Sequence, residues 1–177
     1  MNTIRLSEYH SPAGELILGD YNGQLCLCDW KFRKQRSQID TRIQKVFNAV
    51  FETEPTDFLD EVQVQLESYF NGARTEFDLP LILAGTDFQE RVWNELLKIP
   101  FGETASYLEL SEKLGDVNAI RAVAAANGAN AISIVVPCHR IIGSDGSLVG
   151  YAGGIRAKKK LLEYEGAITD SQMSLEF

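Results

Sequence analysis

Apolar and polar residues alternate along the first thirty positions in three short stretches, Thr3–Tyr9, Glu15–Asp20 and Gln24–Trp30. A period of two marks half-buried strands. The spacers Ser11-Pro12-Ala13-Gly14 and Tyr21-Asn22-Gly23 carry turn chemistry, most clearly at Asn22-Gly23, so hairpins and a small antiparallel sheet are expected. The pattern then changes to the helical period over about Thr41–Phe51 and Asp57–Phe70, the second closed by Asn71-Gly72. These first eighty residues read as one α/β unit. Asp78-Leu79-Pro80 through Gly85 reads as a linker.

Beyond it, Thr86 or Asp87 can cap a helix that places Phe88, Val92, Trp93, Leu96 and Leu97 on one face, with Pro100 as its stop. A second helix is expected from Glu103 or Thr104, with Tyr107, Leu108, Leu110 and Leu114 as its stripe and Gly115 at its end. A tight turn leads to a third, about Ala119–Ala126. Short helices joined in this way form a helix-turn-helix pattern, although most such pairs merely pack in cores. From Arg121 to Ala129 the third helix is almost bare of long side chains. Small residues there suit close helix packing, or close approach to a nucleic-acid groove with Arg121 alone projecting.

Val-Val-Pro-Cys-His-Arg at 135–140 sets a thiol against an imidazole and a guanidinium, behind the apolar run Ile132–Val136, which suits a buried strand. A free thiol titrates near ~8.5, so a base within reach or a nearby cation is needed to raise its thiolate fraction. A buried structural cysteine is the plain alternative.

Charge sharpens this picture. The net charge is −8, which taken whole disfavours a polyanionic partner. Yet Val117–Leu162 holds six basic residues against one acid, Asp145, giving +5 and leaving −13 on the other 131 residues. A cationic segment on an acidic body fits a polyanion-binding face. Apolar content of 45% and 24% charged residues are ordinary for a globular chain. With no apolar run of ~18 residues and no signal-peptide core, no membrane association is expected. Three cysteines, an odd number, point to free thiols in a reducing cytoplasm.

Taken together, the motifs resemble the O6-alkylguanine-DNA alkyltransferases, also called methylated-DNA–protein-cysteine methyltransferases. The resemblance runs over Thr86–Ala167. It rests on Phe88-Gln89-Glu90-Arg91-Val92-Trp93, Ser106-Tyr107, Arg121-Ala122-Val123, Asn127-Gly128-Ala129-Asn130, Pro137-Cys138-His139-Arg140, Gly150-Tyr151-Ala152-Gly153-Gly154 and Leu161-Leu162-Glu163-Tyr164-Glu165-Gly166. It implies a ribonuclease-H-like α/β domain over residues 1–80 and a mostly helical domain with a helix-turn-helix over 86–170. It also implies that duplex DNA containing O6-alkylguanine is the partner, with O4-alkylthymine left open as a further substrate. The resemblance further implies that the lesion is flipped out of the duplex and that its alkyl group passes irreversibly to Cys138, once per protein. It implies His139 as base through a water, Glu165 as its orienter and Asn130 as holder of the hinge. Tyr107 is implied to contact the guanine, give a proton to it and crowd the phosphate, and Arg121 to enter the vacated stack, with Ala122 and Ala129 close to the minor groove. The pocket is implied to involve Val136, Pro137, Tyr151 and Ala152, with carbonyls of Val136 and Cys138 reading the base edge.

The family's action implies no cofactor, no obligate protein partner and a monomer. Ala131 stands where a proline is common, and Ala152 where some members have serine. Zinc is not expected, because Cys26 and Cys28 are read as facing opposite sides of a strand and His10 is the only other histidine. A cysteine hydrolase would use the same Cys, His and Glu, but nothing marks an oxyanion hole. A lesion-binding protein without transfer is disfavoured by Cys138 itself. A helix-turn-helix transcription factor would carry longer base-reading side chains on its recognition helix.

Overall fold

The computed structural model describes residues 1–169; the expected domain end at residue 170 lies outside the described residues. Strand β1 (Asn2–Ser11), β2 (Gly14–Tyr21) and β3 (Gln24–Trp30) form the expected antiparallel meander. Its second turn has Asn22 at φ 52° and Gly23 at φ 80°, the left-handed pair that an Asn-Gly hairpin adopts. Helix α1 (Arg36–Phe47) starts earlier than its apolar period suggested and ends at Asn48, in the left-handed conformation. The chain then enters strand β4 (Ala49–Thr53), which the sequence pattern had merged into the helix. Because β4 runs parallel to β1, the sheet has the order β3-β2-β1-β4 and is mixed rather than wholly antiparallel. Helix α2 (Asp57–Phe70) has the expected bounds, set by the Thr56 cap and by Gly72 at φ 83°.

The sheet's exposed edge at β3 is covered by the rest of the chain. Leu25 donates to the Pro80 carbonyl and its own carbonyl accepts from Ile82, so the expected linker lies along this edge. Further along, Cys28 donates to the Ala131 carbonyl at 2.9 Å and accepts from Ser133 at 2.7 Å. Backbone groups that would otherwise be unpaired thereby fix the C-terminal half against the sheet. One apolar cluster runs through both halves, from Leu16, Leu18 and Tyr69 to Trp93, Val136 and Cys138.

Cys26 and Cys28 require a correction. Residues two apart on a regular strand share a face. These two nevertheless join separate apolar clusters, because the register between β2 and β3 shifts beside Gly19 and Asp20. Their separation comes from a β-bulge, not from alternation.

The second half is built of short helices. Helix α3 (Asp87–Leu96) opens with a capping box between Thr86 and Gln89 and buries Val92, Trp93 and Leu96. Strand β5 (Ala105–Ser106) comes next. Helix α4 (Tyr107–Lys113) begins later than expected because Ser106, paired with Glu109, supplies its capping box. Gly115 and a 3-10 turn at Val117–Ala119 lead to helix α5 (Ile120–Gly128). Strand β6 (Ile141–Ile142) pairs in parallel with β5, and helix α6 (Ile155–Tyr164) closes the described fold. No helix among the described residues is long and apolar enough to cross a membrane.

Candidate active site

The run Ile132–Val136 is buried as expected, but it is not a strand. It folds into a tight turn in which Val136 donates to the Ile132 carbonyl at 2.9 Å. The reason lies in Asn130. Its side-chain oxygen accepts from the Ile132 amide, and its amide nitrogen donates to the Val136 carbonyl, both at 2.9 Å. An asparagine satisfying backbone groups in this way competes with strand pairing. Ile134 sits at φ 72° with its side chain buried, a conformation that costs a β-branched residue of order 1–3 kcal/mol. That turn delivers Cys138 to the start of a 3-10 turn, Cys138–Arg140, at the floor of a cavity of about 880 Å³.

His139 is fully buried, and its Nε2 lies 2.7 Å from Glu165 Oε1 at the end of α6. Glu165 also accepts from Arg140 Nε and Nη2, each at 2.9 Å, and from the Tyr69 hydroxyl at 2.8 Å. Burial alone would raise the Glu165 carboxyl, but the hydrogen bonds from His139 and Arg140 overcome it and hold the group well below the usual carboxylate range. Burial pushes the His139 imidazole down despite Glu165, so the ring is neutral at rest. With Nε2 facing the carboxylate, the basic lone pair falls on Nδ1, a buried atom with no hydrogen-bond partner among the described residues.

Burial also raises the Cys138 thiol, opposed by a hydrogen bond from Asn130 and by the charge of Lys158. The net direction is upward, so the resting group is the thiol and a proton must be removed before it can act as a nucleophile. Lys158 itself is fully buried on α6 and donates to the carbonyls of Val149 and Gly150 at 3.3 and 3.2 Å. Burial lowers its ammonium to about 8, while Cys138 acts to raise it. The Tyr107 hydroxyl donates to the same Val149 carbonyl at 3.2 Å, so two side chains fix the loop above the thiol.

Tyr107, Tyr151 and Ala152 line the cavity with Cys138, as does Asn127, whose amide reaches the Cys138 carbonyl at 3.4 Å. Val136 and Pro137 are buried but do not line it, and the Val136 carbonyl is already engaged by Asn130 and the Cys138 amide. The opposite wall comes from the N-terminal half, including Trp30. A Cβ on Gly153 would fall 2.5 Å from the Trp30 ring, so only glycine allows this approach.

Arg121 and Ala122 are exposed on α5, Ala129 caps the helix end, and none of the three lines the cavity. The carbonyls at that end are held from the other half of the chain. Arg33 donates to Gly128 and Asn130, at 2.7 and 3.3 Å, and Arg42 donates to Ala129 at 2.7 Å. Arg33 and Arg36 also flank the fully buried Asp29. Tyr69, Arg33, Arg42, Arg140 and Lys158 were not singled out as site residues from sequence. Arg140 alone had a usable signal, because it adjoins the Cys-His pair. The His10 ring is exposed beside Glu15, and no three potential ligands gather as a metal site among the described residues.

Residues 4–83 match the family model for the 6-O-methylguanine DNA methyltransferase ribonuclease-like domain, and residues 87–167 match that for the DNA binding domain. The methylated-DNA–protein-cysteine methyltransferase of Methanosarcina acetivorans is 41% identical over 160 residues, covering 90% of this chain and 96% of its own length. That of Mycobacterium tuberculosis is 54% identical over 111 residues, covering 63% of this chain and 67% of its own. The crystal structure of Mycobacterium tuberculosis OGT in complex with DNA has a TM-score of 0.79 and 42% identity, covering 93% of each chain. The ribonuclease-like sheet with helices, followed by a helical DNA-binding half, agrees with the fold class expected from sequence.

Proposed function

The chain belongs to the 6-O-methylguanine DNA methyltransferase family, and from that membership we propose that it flips an O6-alkylguanine out of duplex DNA and transfers the alkyl group to Cys138. Members of this class repair alkylated DNA, and the geometry around Cys138 supports a specific route. The observation that carries it is the His139–Glu165 contact at 2.7 Å, which leaves the free lone pair of a neutral imidazole on Nδ1, in the residue next to Cys138. His139 takes the thiol proton through a bridging water. The imidazolium so formed is stabilised by Glu165, which Arg140 and Tyr69 hold in place.

The thiolate then attacks the alkyl carbon. An S–C bond forms as the C–O6 bond breaks, and the electron pair leaves on guanine. Tyr107 donates its hydroxyl proton to the departing base, and the proton removed from Cys138 restores the balance. A purine inside a duplex cannot present its O6 substituent in line with Sγ, which is why the nucleotide must be turned out. Arg121, exposed near the start of α5, fills the gap, while the small surface of Ala122 and Ala125 lets the helix approach the groove. The α4–α5 pair acts as the helix-turn-helix, and a monomer suffices. A thioether on Cys138 has no route back to thiol here, so each protein acts once.

Replacing Cys138 with Ser tests the assignment. Transfer from O6-methylguanine DNA is expected to vanish while duplex binding persists. Loss of transfer in Cys26→Ser or Cys28→Ser, with Cys138 intact and the protein folded, would contradict it.

A further inference from the structure

The cavity that holds Cys138 extends well beyond the thiol, onto a turn of the N-terminal half. Its far rim is Phe32, Arg33, Lys34 and Gln35, facing Ala124 and Asn127 of α5. At about 880 Å³ it lies near the top of the range that buries a drug-sized ligand, more than one methylated base fills. Phe32 is the unusual residue on this rim. It is 78% exposed, although Arg33 next to it and Trp30 two residues back are buried. The turn beneath it is held firmly, since Arg33 binds Asp29 and the carbonyls of Gly128 and Asn130. The ring is therefore displayed on a preorganised support.

Two lysines lie close to it in sequence. Lys31 Nζ lies 5.5 Å from the Phe32 ring centroid and pairs with Glu8 at 2.8 Å, while Lys34 is exposed and lines the cavity. Glu15, which also lines the cavity, is paired with Lys31 and His10. An exposed aromatic ring beside cations is the arrangement by which proteins stack an unpaired base while following its phosphates.

We propose that Phe32 is a stacking platform for the nucleotide that neighbours the flipped lesion on the same strand, making Lys31–Lys34 a second nucleic-acid subsite outside the thiol pocket. The inference rests on the transfer reading above. A strand that turns one nucleotide toward Cys138 must cross the cavity mouth between α5 and this turn. Flipping leaves two base faces open, one on each side of the gap; Arg121 covers one of them and the ring takes the other.

The test is photocrosslinking on the full chain carrying Cys138→Ser, so that it does not depend on transfer. A duplex with 5-iodouracil next to O6-methylguanine is expected to crosslink to Phe32. Moving the iodouracil several base pairs away should abolish that product. A crosslink elsewhere, or one unaffected by position, would overturn the proposal. In protein with Cys138 intact and melting temperature checked, Phe32→Ala should slow transfer from duplex DNA about ten-fold, within the range that base stacking supports. Transfer from free O6-benzylguanine should stay within about two-fold, because no neighbouring nucleotide is present. An unchanged duplex rate, or an equal loss on both substrates, would also overturn it, as would a Phe32→Ala effect confined to self-association. Absence of any transfer by the intact protein would count against the transfer reading, while the crosslink would still report on the platform.

Discussion

Cys138 is not made reactive by a simple neighbouring base. Its thiol is buried and pushed upward, opposed by the Asn130 amide first, then by the charge of Lys158 and more weakly by that of Arg33. A fully buried lysine whose amine meets two loop carbonyls, with no carboxylate bonded to it among the described residues, is costly unless its charge is used. Lys158→Met is therefore expected to raise the pH midpoint for alkylation of Cys138 by iodoacetamide by about one unit, the scale of one lost neighbouring charge. Transfer from free O6-benzylguanine should slow in parallel. The other thiols do not interfere, since burial pushes Cys26 up to about 12 and Cys28 higher still. A lower melting temperature with an unmoved midpoint would reduce Lys158 to a structural strap.

Helices α4 and α5 carry two side chains whose proposed tasks separate cleanly. Arg121→Ala should slow transfer from duplex DNA far more than from free O6-benzylguanine, which needs no flipping. Tyr107→Phe keeps the ring but removes the proton donor, so both substrates should slow, by about 10²-fold if general-acid help has its typical value. Equal losses for Arg121→Ala on the two substrates would contradict its place in the duplex. Caps made the boundaries of α2 and α3 legible, although the Ser106–Glu109 box that opens α4 was passed over for Glu103 or Thr104. Thr56 and Gly72 bound α2, and Thr86 with Gln89 opens α3. Strand β4 was not legible, because its partner β1 lies nearly fifty residues back and its own five residues continue a helical apolar pattern. Ile132–Val136 misled for a related reason. An apolar run reports burial, and only the Asn130 hydrogen bonds convert it from strand to turn.

Across the whole molecule, the N-terminal half serves as the clamp of the site. Tyr69 reaches Glu165 across 96 residues, and Arg33 reaches Gly128 across 95. Such contacts have no local signal, so the sequence motif held Cys138 and His139, the family resemblance implied Glu165, and neither pointed to what holds them. The clamp has a consequence in acid. Glu165 titrates lower in the folded chain than in the unfolded one, so its contribution is present above the unfolded value near ~4.3 and is lost as pH falls below it. His139 is likewise lowered, and stability begins to fall once pH drops below ~6.5. Asp29, raised by burial against Arg33 and Arg36, acts in the opposite sense. Melting temperature is expected to decline from pH 7 to 2, through His139 below ~6.5 and through Glu165 below ~4.3. Glu165→Gln should start lower, by about 3–5 kcal/mol of stability for a broken buried pair, and lose the part of the decline below ~4.3. Parallel declines of the two proteins below that pH would contradict the Glu165 assignment.

The central claim is that this chain is itself the acceptor and that Cys138 is the accepting atom's residue. Intact-mass and peptide mass spectrometry, after mixing with excess O6-methylguanine duplex, measures that directly. The expected result is a gain of one CH2 per protein molecule, located on Cys138, with no further product on longer incubation or added DNA. Continued conversion of DNA beyond one equivalent, or an adduct on Cys26 or Cys28 with Cys138 unmodified, would contradict it.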